Sequence, residues 1–208
     1  MRVRALNSLN YPRSFCDVNL LPFGLTGEIN FKKQLDGSAK ELVDLGRLSS
    51  ACGGLTVLGA VSDNYGVKRR SAFVFEKGRL CSICDMNACE EGFSPSLGYK
   101  IFNAGGRKIG ILADRDVYSP QAVQALALCG CDAIINLYAG FSGRKAEIAA
   151  EFFAYLYGVN FVFLSENSFM AFNPDGEPIS LNADGEIELP EVKKAHETRV
   201  KRRGLANF

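Results

Sequence analysis

The chain has 208 residues and a mass of 22.6 kDa, which suffices for one domain with a substantial core. A formal net charge of +1 argues against general affinity for nucleic acid or membranes, and no apolar run approaches the roughly 18 residues of a membrane span. The first residues interleave charged and apolar side chains, so no secretory signal is expected. Seven cysteines, an odd number in a domain of this size, favour reduced thiols and a cytoplasmic location.

The hydrophobic pattern predicts short strands interspersed with three amphipathic helices. Strands are predicted at 1–9, 16–21, 55–62, 71–75, 79–85, 100–103, 109–113, 130–136 and 160–165. Helices are predicted at 38–52, 120–129 and 144–158, a turn at 173–176 and a basic tail at 193–208. The first helix is expected to begin with a capping box, because Ser38 is followed three residues later by Glu41.

The stretch Lys108-Ile-Gly-Ile-Leu-Ala-Asp-Arg-Asp-Val-Tyr-Ser-Pro120 is the most informative part of the sequence. An apolar run typical of a buried strand ends in Asp114, Arg115 and Asp116, and a helix is predicted to begin at Pro120. A strand that ends in charges and turns into a helix often aims side chains at a pocket. The alternative is a strand end with solvated charges.

This stretch resembles the strand, elbow and helix of the nitrilase superfamily, the carbon–nitrogen hydrolases. The family pattern reads Lys-Ile-Gly-Val, two hydrophobic residues, Cys-Tyr-Asp, three residues and Pro. Asp116 and Pro120 match its aspartate and proline, so Asp114 occupies the position of the nucleophilic cysteine. The resemblance covers about residues 16–190 and rests on the order of several local patterns.

Other segments resemble the same family at the positions of its catalytic groups. In 17–27, Phe23 stands where the family has its general-base glutamate. Counting from Gly78 in the next hairpin, Asp85 falls on the catalytic lysine. The stretch 89–95 resembles the loop with a second, structural glutamate, which would be Glu90 or Glu91.

The resemblance implies a nitrilase-like four-layer αββα sandwich of the α/β class. The interval between the first two strands is too short for the usual helix, so the first helix is expected to be missing or reduced. One domain at 1–192 and a basic tail at 193–208 are expected. In the family, helices after the central strand form a two-fold dimer, which implies a homodimer through 120–129 and 144–158 with the tail packed on the partner. His196 is expected to be a solvated residue of that tail.

The altered positions predict the loss of the family's chemistry. A phenylalanine cannot take a proton, and an aspartate in place of lysine would repel an oxyanion. With Phe23, Asp85 and Asp114 at the triad positions, we expect a catalytically inactive homologue with a binding or structural role; its ligand is not evident from the sequence. An alternative is an active amide hydrolase in which Asp85 and Asp114 form an acid pair, or share a cation.

Two further expectations concern this pocket and the cysteines. A neighbouring cation (Arg115, Lys100 or Arg107) is expected to neutralise the carboxylates, with Asp116, Glu90 and Glu91 as further pocket candidates. Cys81 and Cys84 have metal-ligand spacing with Cys89 nearby, which leaves a cysteine-ligated metal protein as a second alternative. Residues three apart on a strand point to opposite faces, so no metal and no cofactor are expected.

Overall fold

The computed structural model describes residues 1–9, 15–140 and 144–192, and within them the chain forms two β-sheets flanked by helices. The strands of the first sheet are β1 (Arg2–Ala5), β2 (Val18–Leu21), β3 (Glu28–Asn30), β4 (Leu55–Asn64), β5 (Val67–Glu76), β6 (Arg79–Asp85) and β13 (Glu186–Glu188). Those of the second are β7 (Lys100–Ala104), β8 (Arg107–Ala113), β9 (Ala133–Leu137), β10 (Asn160–Leu164), β11 (Phe169–Phe172) and β12 (Pro178–Ile179). The helices are α1 (Phe31–Leu35), α2 (Glu41–Cys52), α3 (Pro120–Leu128) and α4 (Arg144–Tyr157).

The first sheet has the order β13-β1-β2-β4-β5-β6, with β3 paired beside one end of β4. Strands β1, β2 and β4 are parallel, whereas β4, β5 and β6 form an antiparallel meander. Strand β13 pairs antiparallel with β1, so the last described strand forms the edge of the sheet beside the first.

The second sheet has the order β12-β11-β10-β9-β8-β7. Its centre consists of the parallel strands β8, β9 and β10, and helices α3 and α4 connect them. These strands are short apolar runs buried on both faces, as expected for a parallel sheet covered by other layers.

Three hydrophobic clusters separate four layers. The central cluster joins the inner faces of both sheets, with Val57 and Val74 from one sheet and Ile111 and Ile135 from the other. A second cluster packs α3 and α4 on the outer face of the second sheet. A third packs α2 and part of α1 on the outer face of the first sheet. The predicted four-layer αββα sandwich is therefore confirmed.

The helical layer on the first sheet is thin. Between β1 and β2, the described residues 6–9 and 15–17 contain no helix, as expected from the short interval. This layer consists of α2 and the five-residue α1, which was not predicted from the sequence. Asn30 begins α1, because its side-chain oxygen accepts a hydrogen bond from the Lys33 amide at 3.1 Å.

The predicted capping box at Ser38 is wrong. Helix α2 begins at Glu41, and its first flanking residue makes no side-chain capping hydrogen bond. The Ser38 hydroxyl donates instead to Asp36 Oδ1 at 2.6 Å, inside the preceding turn. Short polar side chains readily form such local bonds, which compete with capping.

Two sequence predictions, the basic tail 193–208 and the solvated His196 within it, fall outside the described residues. None of the described helices is long and apolar enough to span a bilayer.

Candidate functional site

The chain turns sharply after β8, at the residue predicted to replace a nucleophile. Asp114 has a left-handed backbone with φ of 46°, a conformation that aspartate tolerates better than most residues. A short 3-10 turn, Asp114–Tyr118, then leads into α3, where the Ser119 hydroxyl accepts from the Ala122 amide at 3.3 Å. Proline at the first position of α3 suits its missing amide hydrogen. This elbow directs the Asp114 side chain between the sheets.

Asp114 is buried, with two specific partners for its carboxylate. Oδ1 accepts from the Ala139 amide at 3.0 Å, and Oδ2 lies 2.9 Å from Arg70 Nε. The side chain of Asn136 donates to the Asp114 carbonyl oxygen at 3.2 Å, which fixes the elbow to β9. Burial raises the pKa of Asp114, and the Ala139 amide and the Arg70 guanidinium oppose that change.

Arg70 joins Asp114 to a second carboxylate. Its Nε also lies 2.8 Å from Glu90 Oε2, and its guanidinium sits over the Phe93 ring, 4.5 Å from the centroid. Glu90 in turn pairs with Arg115 Nη2 at 2.9 Å. Two carboxylates and two guanidinium groups therefore alternate across this end of the sandwich, and their charges compensate one another.

Asp116 holds the loop after β6 against the elbow. It is 1% exposed, and its carboxylate accepts from the Asn87 amide at 3.0 and 3.1 Å and from the Ala88 amide at 2.9 Å. Burial raises the pKa of Asp116 to about 6, although these amides oppose the change. Asp116 therefore ties the loop after β6 to the elbow and does not face solvent.

Phe23 belongs to the core between the sheets. It is 7% exposed and clusters with residues of both inner faces. Its ring lies directly against Gly59 of β4, where an added Cβ would collide with it. An aromatic ring therefore fills the space that the resemblance assigns to a general base.

The expectation that Asp85 and Asp114 share a pocket is wrong. Asp85 is opposite Ser71 in the β5–β6 register, and the Ser71 hydroxyl donates to Asp85 Oδ1 at 2.7 Å. Ser71 lies on the same face of β5 as Phe73, which packs under the outer helices, whereas Arg70 lies on the inner face. The two aspartates are on opposite faces of the first sheet, so they form neither an acid pair nor a shared cation site.

The cation in direct contact with Asp114, Arg70, is not among those expected. Lys100 Nζ donates to Ser82 Oγ and the Ile83 carbonyl, both at 2.8 Å, and Arg107 donates to the Leu189 carbonyl at 3.0 Å. Arg115 contacts Glu90, while Glu91 is exposed. Sequence reasoning missed Arg70, which lies on the inner face of β5 two positions before Ala72, because the predicted strand began only at residue 71.

The cysteines do not converge. Cys84 is buried in the core between the sheets, and burial raises the pKa of its thiol to about 12. Cys81 is exposed and its thiol donates to the Arg79 carbonyl at 3.4 Å, while Cys89 lies in the following loop. Across the described ranges, no cluster of three or more His, Cys, Asp or Glu side chains has an arrangement that could hold a metal ion.

Solved structures share this architecture. An amidase of the nitrilase superfamily from Nesterenkonia AN1 superposes with a TM-score of 0.72 over 96% of both chains at 14% identity. A carbon–nitrogen hydrolase from Helicobacter pylori G27 gives a TM-score of 0.70 over 93% of this chain and 83% of its own, at 17% identity. The chain has the nitrilase fold.

Similarity within the nitrilase fold extends to one part of a larger enzyme. The glutamine-dependent NAD+ synthetase from Acinetobacter baumannii matches 86% of this chain with 38% of its own length, at a TM-score of 0.64 and 15% identity. In one structure of the Nesterenkonia amidase, the acetamide moiety of fluoroacetamide is covalently attached to the active-site cysteine. No family model and no curated protein sequence matches the chain.

Proposed function

We propose that the protein is a catalytically inactive homologue of the carbon–nitrogen hydrolases with a binding or structural role. The observation that carries this proposal is the state of Asp114 at the elbow. Its buried carboxylate is held by the Ala139 amide and by Arg70 at 2.9 Å. A side chain held in this way is a structural anchor for the elbow.

The surrounding groups support the same conclusion. Nucleophilic catalysis needs a reactive side chain with an adjacent base, and Phe23 offers no proton acceptor. Stabilising an oxyanion needs uncompensated donors, but Arg70 already serves two carboxylates, Asp114 and Glu90. The positions of Asp85 and Asp114 on opposite faces of the first sheet count against the hydrolase alternative built on this pair.

Hydrolysis assays test the proposal. The wild-type protein should release no ammonia from a panel of aliphatic amides, aromatic amides and nitriles, before or after treatment with an alkylating agent. Two variants are assayed beside it. Asp114→Asn changes the elbow, and Arg47→Gln, at an exposed residue of α2, is the control. Turnover that disappears in Asp114→Asn or on alkylation, and persists in Arg47→Gln, would contradict the proposal.

We further infer a cytoplasmic location, which the state of the thiols supports. All seven cysteines are free, and Cys16, Cys52, Cys84 and Cys131 are buried. Free thiols persist in reducing compartments, whereas secreted domains tend to pair them. Mass spectrometry after rapid alkylation of lysed cells would contradict this inference if it found the thiols paired.

A homodimer through α3 and α4 is the proposed assembly. Ile148, Phe152 and Tyr155 lie on the outer face of α4 and are 49%, 53% and 48% exposed, while Phe153 and Tyr157 face the sheet. The turn after β11 lies against Tyr155 at one side of this face, where Gly176 approaches it closely, and Ile148 and Phe152 remain about half exposed beside it. A contiguous apolar surface of this kind marks an interaction site, and a second copy of the chain offers the same surface across a two-fold axis.

A further inference from the structure

A cleft of about 300 Å³ opens on the outer face of the first sheet, a volume at the lower end of the range of small-molecule sites. The apolar side of this outer cleft includes Phe31, Leu35 and Tyr65, and its polar side includes Ser62, Arg69 and Asp85. It lies on the opposite face of the sheet from Asp114. An occupant of the cleft is therefore independent of the chemistry at the elbow.

The cleft exists because the strands extend beyond the helices that cover them. Strands β4 and β5 have ten residues each, and α2 clusters with Leu58 and Phe73 towards one end. At the other end the cover is α1, a helix of only five residues. Outward-facing polar side chains of β4, β5 and β6 thus form the floor of an open site.

The carboxylate of Asp85 in this floor is held by the protein through one of its oxygens, Oδ1. Ser71 donates to its Oδ1 at 2.7 Å, and the Ser62 and Ser71 hydroxyls lie 2.8 Å apart in a buried chain of hydrogen bonds. Ser71 is fully buried, and the Asp85 side chain is 16% exposed. The carboxylate is thus positioned by the protein itself.

Arg69 is not satisfied. Its Nη1 approaches Asp85 Oδ2 only to 3.5 Å, beyond the usual length of an N–H···O hydrogen bond. Its buried Nε has no acceptor among the described residues, although a guanidinium offers five N–H donors. The side chain is 34% exposed, so turning it toward a ligand would break no good hydrogen bond. Among the described residues, the outer cleft therefore presents a guanidinium N–H donor that lacks an acceptor.

We propose that the outer cleft binds a small carboxylate with an apolar body. The planar carboxylate pairs with the guanidinium of Arg69, a geometry in which two parallel hydrogen bonds form. The apolar body packs against Phe31, Leu35 and Tyr65. The negative charge of Asp85, 3.5 Å from Arg69, disfavours a second anionic group on the ligand, which limits it to a monocarboxylate.

Phenylacetate, titrated into the full chain by calorimetry, is the probe for this site. We expect saturable binding with a Kd of about 1 mM or tighter, which corresponds to at least about 4 kcal/mol. Arg69→Gln should weaken it at least about tenfold, and Leu35→Ser should also weaken it. Leu35 is 79% exposed, so its replacement leaves the core intact even where Arg69→Gln impairs folding. Arg79→Gln, at an exposed position of β6, should bind like the wild type.

Phenethylamine carries the opposite charge on a similar ring and separates charge recognition from apolar association. It should bind at least about tenfold more weakly than phenylacetate. Equal binding of the two compounds would overturn the proposal. So would the absence of phenylacetate binding, or binding unchanged in both Arg69→Gln and Leu35→Ser.

Discussion

Arg70 lies between the carboxylates of Asp114 and Glu90 and carries the main compensating charge at the elbow. Both carboxylates are largely shielded from solvent, with side chains 4% and 13% exposed. Removing one partner of a buried ion pair is more damaging than replacing the whole pair, because the remaining charge is left uncompensated. We therefore expect the replacement of Arg70 to lower the stability of the protein more than the replacement of any other residue of the site.

Arg70→Met should lower the free energy of unfolding by about 3 kcal/mol, because Asp114 keeps a buried charge without its cation. Arg47→Met, which removes an exposed arginine with a surface partner, should cost less than about 1 kcal/mol. Urea denaturation measures both. Adding Asp114→Asn to Arg70→Met should recover part of the loss, and a double variant no more stable than Arg70→Met would contradict this account.

Asp116 should make stability depend on pH. Burial raises the pKa of Asp116 to about 6, so the folded state holds this proton more tightly than the unfolded chain. Between about pH 4 and pH 6 the free energy of unfolding should therefore fall as the pH rises, and the destabilisation should be complete at neutral pH. Burial raises the pKa of Asp114 as well, which acts in the same direction.

The substitution Asp116→Asn isolates this contribution. Its side-chain oxygen can still accept from the Asn87 and Ala88 amides, since both donate to the same Oδ1. Denaturation midpoints measured from about pH 4 to pH 7 should show a flatter profile than the wild type. Asp44→Asn, at an exposed carboxylate, controls for the lost charge, and an Asp116→Asn profile identical to wild type would refute the prediction.

At the scale of elements, the hairpin β5–β6 shows how far the sequence could lead. The strands themselves were predicted, because alternating and apolar runs of this kind are strong signals. The position of Asp85 was not, since an error of one residue in a strand moves a side chain to the opposite face. Arg70 was missed for a different reason: the predicted strand began at residue 71, whereas β5 begins at Val67 and includes Arg70.

The elbow after β8 was easier to recognise than its surroundings. A buried run, three charges and a proline at a helix start are local features, and the sequence specifies them directly. The partners of Asp114 come from β5 and from the segment after β9, at Arg70 and Ala139. Contacts between residues this distant in sequence require the assembled sandwich.

The ring of Phe23, in the segment after β2, lies directly against Gly59 of strand β4. Gly59→Ala should lower the free energy of unfolding by about 1–3 kcal/mol, because the added methyl group collides with the Phe23 ring. In a Phe23→Ala background the same change should be nearly neutral, since the ring is absent. A double-mutant cycle by chemical denaturation measures the coupling, and additive effects would exclude the steric explanation.

For the whole molecule, the order of elements was sufficient to predict the four layers and the thin helical cover on the first sheet. The sequence also predicted an amphipathic helix at 144–158, and the structure divides its apolar residues between core and surface. Phe153 and Tyr157 belong to the core, and Ile148, Phe152 and Tyr155 remain exposed. Periodicity identifies an apolar helix face, while only packing separates core from surface.

The exposed part of that stripe leads to a prediction about mass in solution. Light scattering at micromolar concentration should give about twice 22.6 kDa for the wild type. Phe152→Asp should shift the protein to the monomer, because a charge at the centre of the interface has no partner there. Leu97→Asp, at a residue 98% exposed in the loop between β6 and β7, should remain dimeric. A wild-type mass of one subunit would refute the dimer.

The pairing of β1 with β13 sets an order of events during synthesis. One edge of β1 has no partner until residues 186–188 have been made, roughly ten to forty seconds after the first strand at ordinary rates of translation. An open strand edge is a template for pairing with another chain, including a second copy of this one. Arg2 and Arg4 give this edge two positive charges, which repel the same strand of a second nascent chain. Glu186 of β13 forms ion pairs with both arginines, so their charges are compensated once β13 has paired with β1.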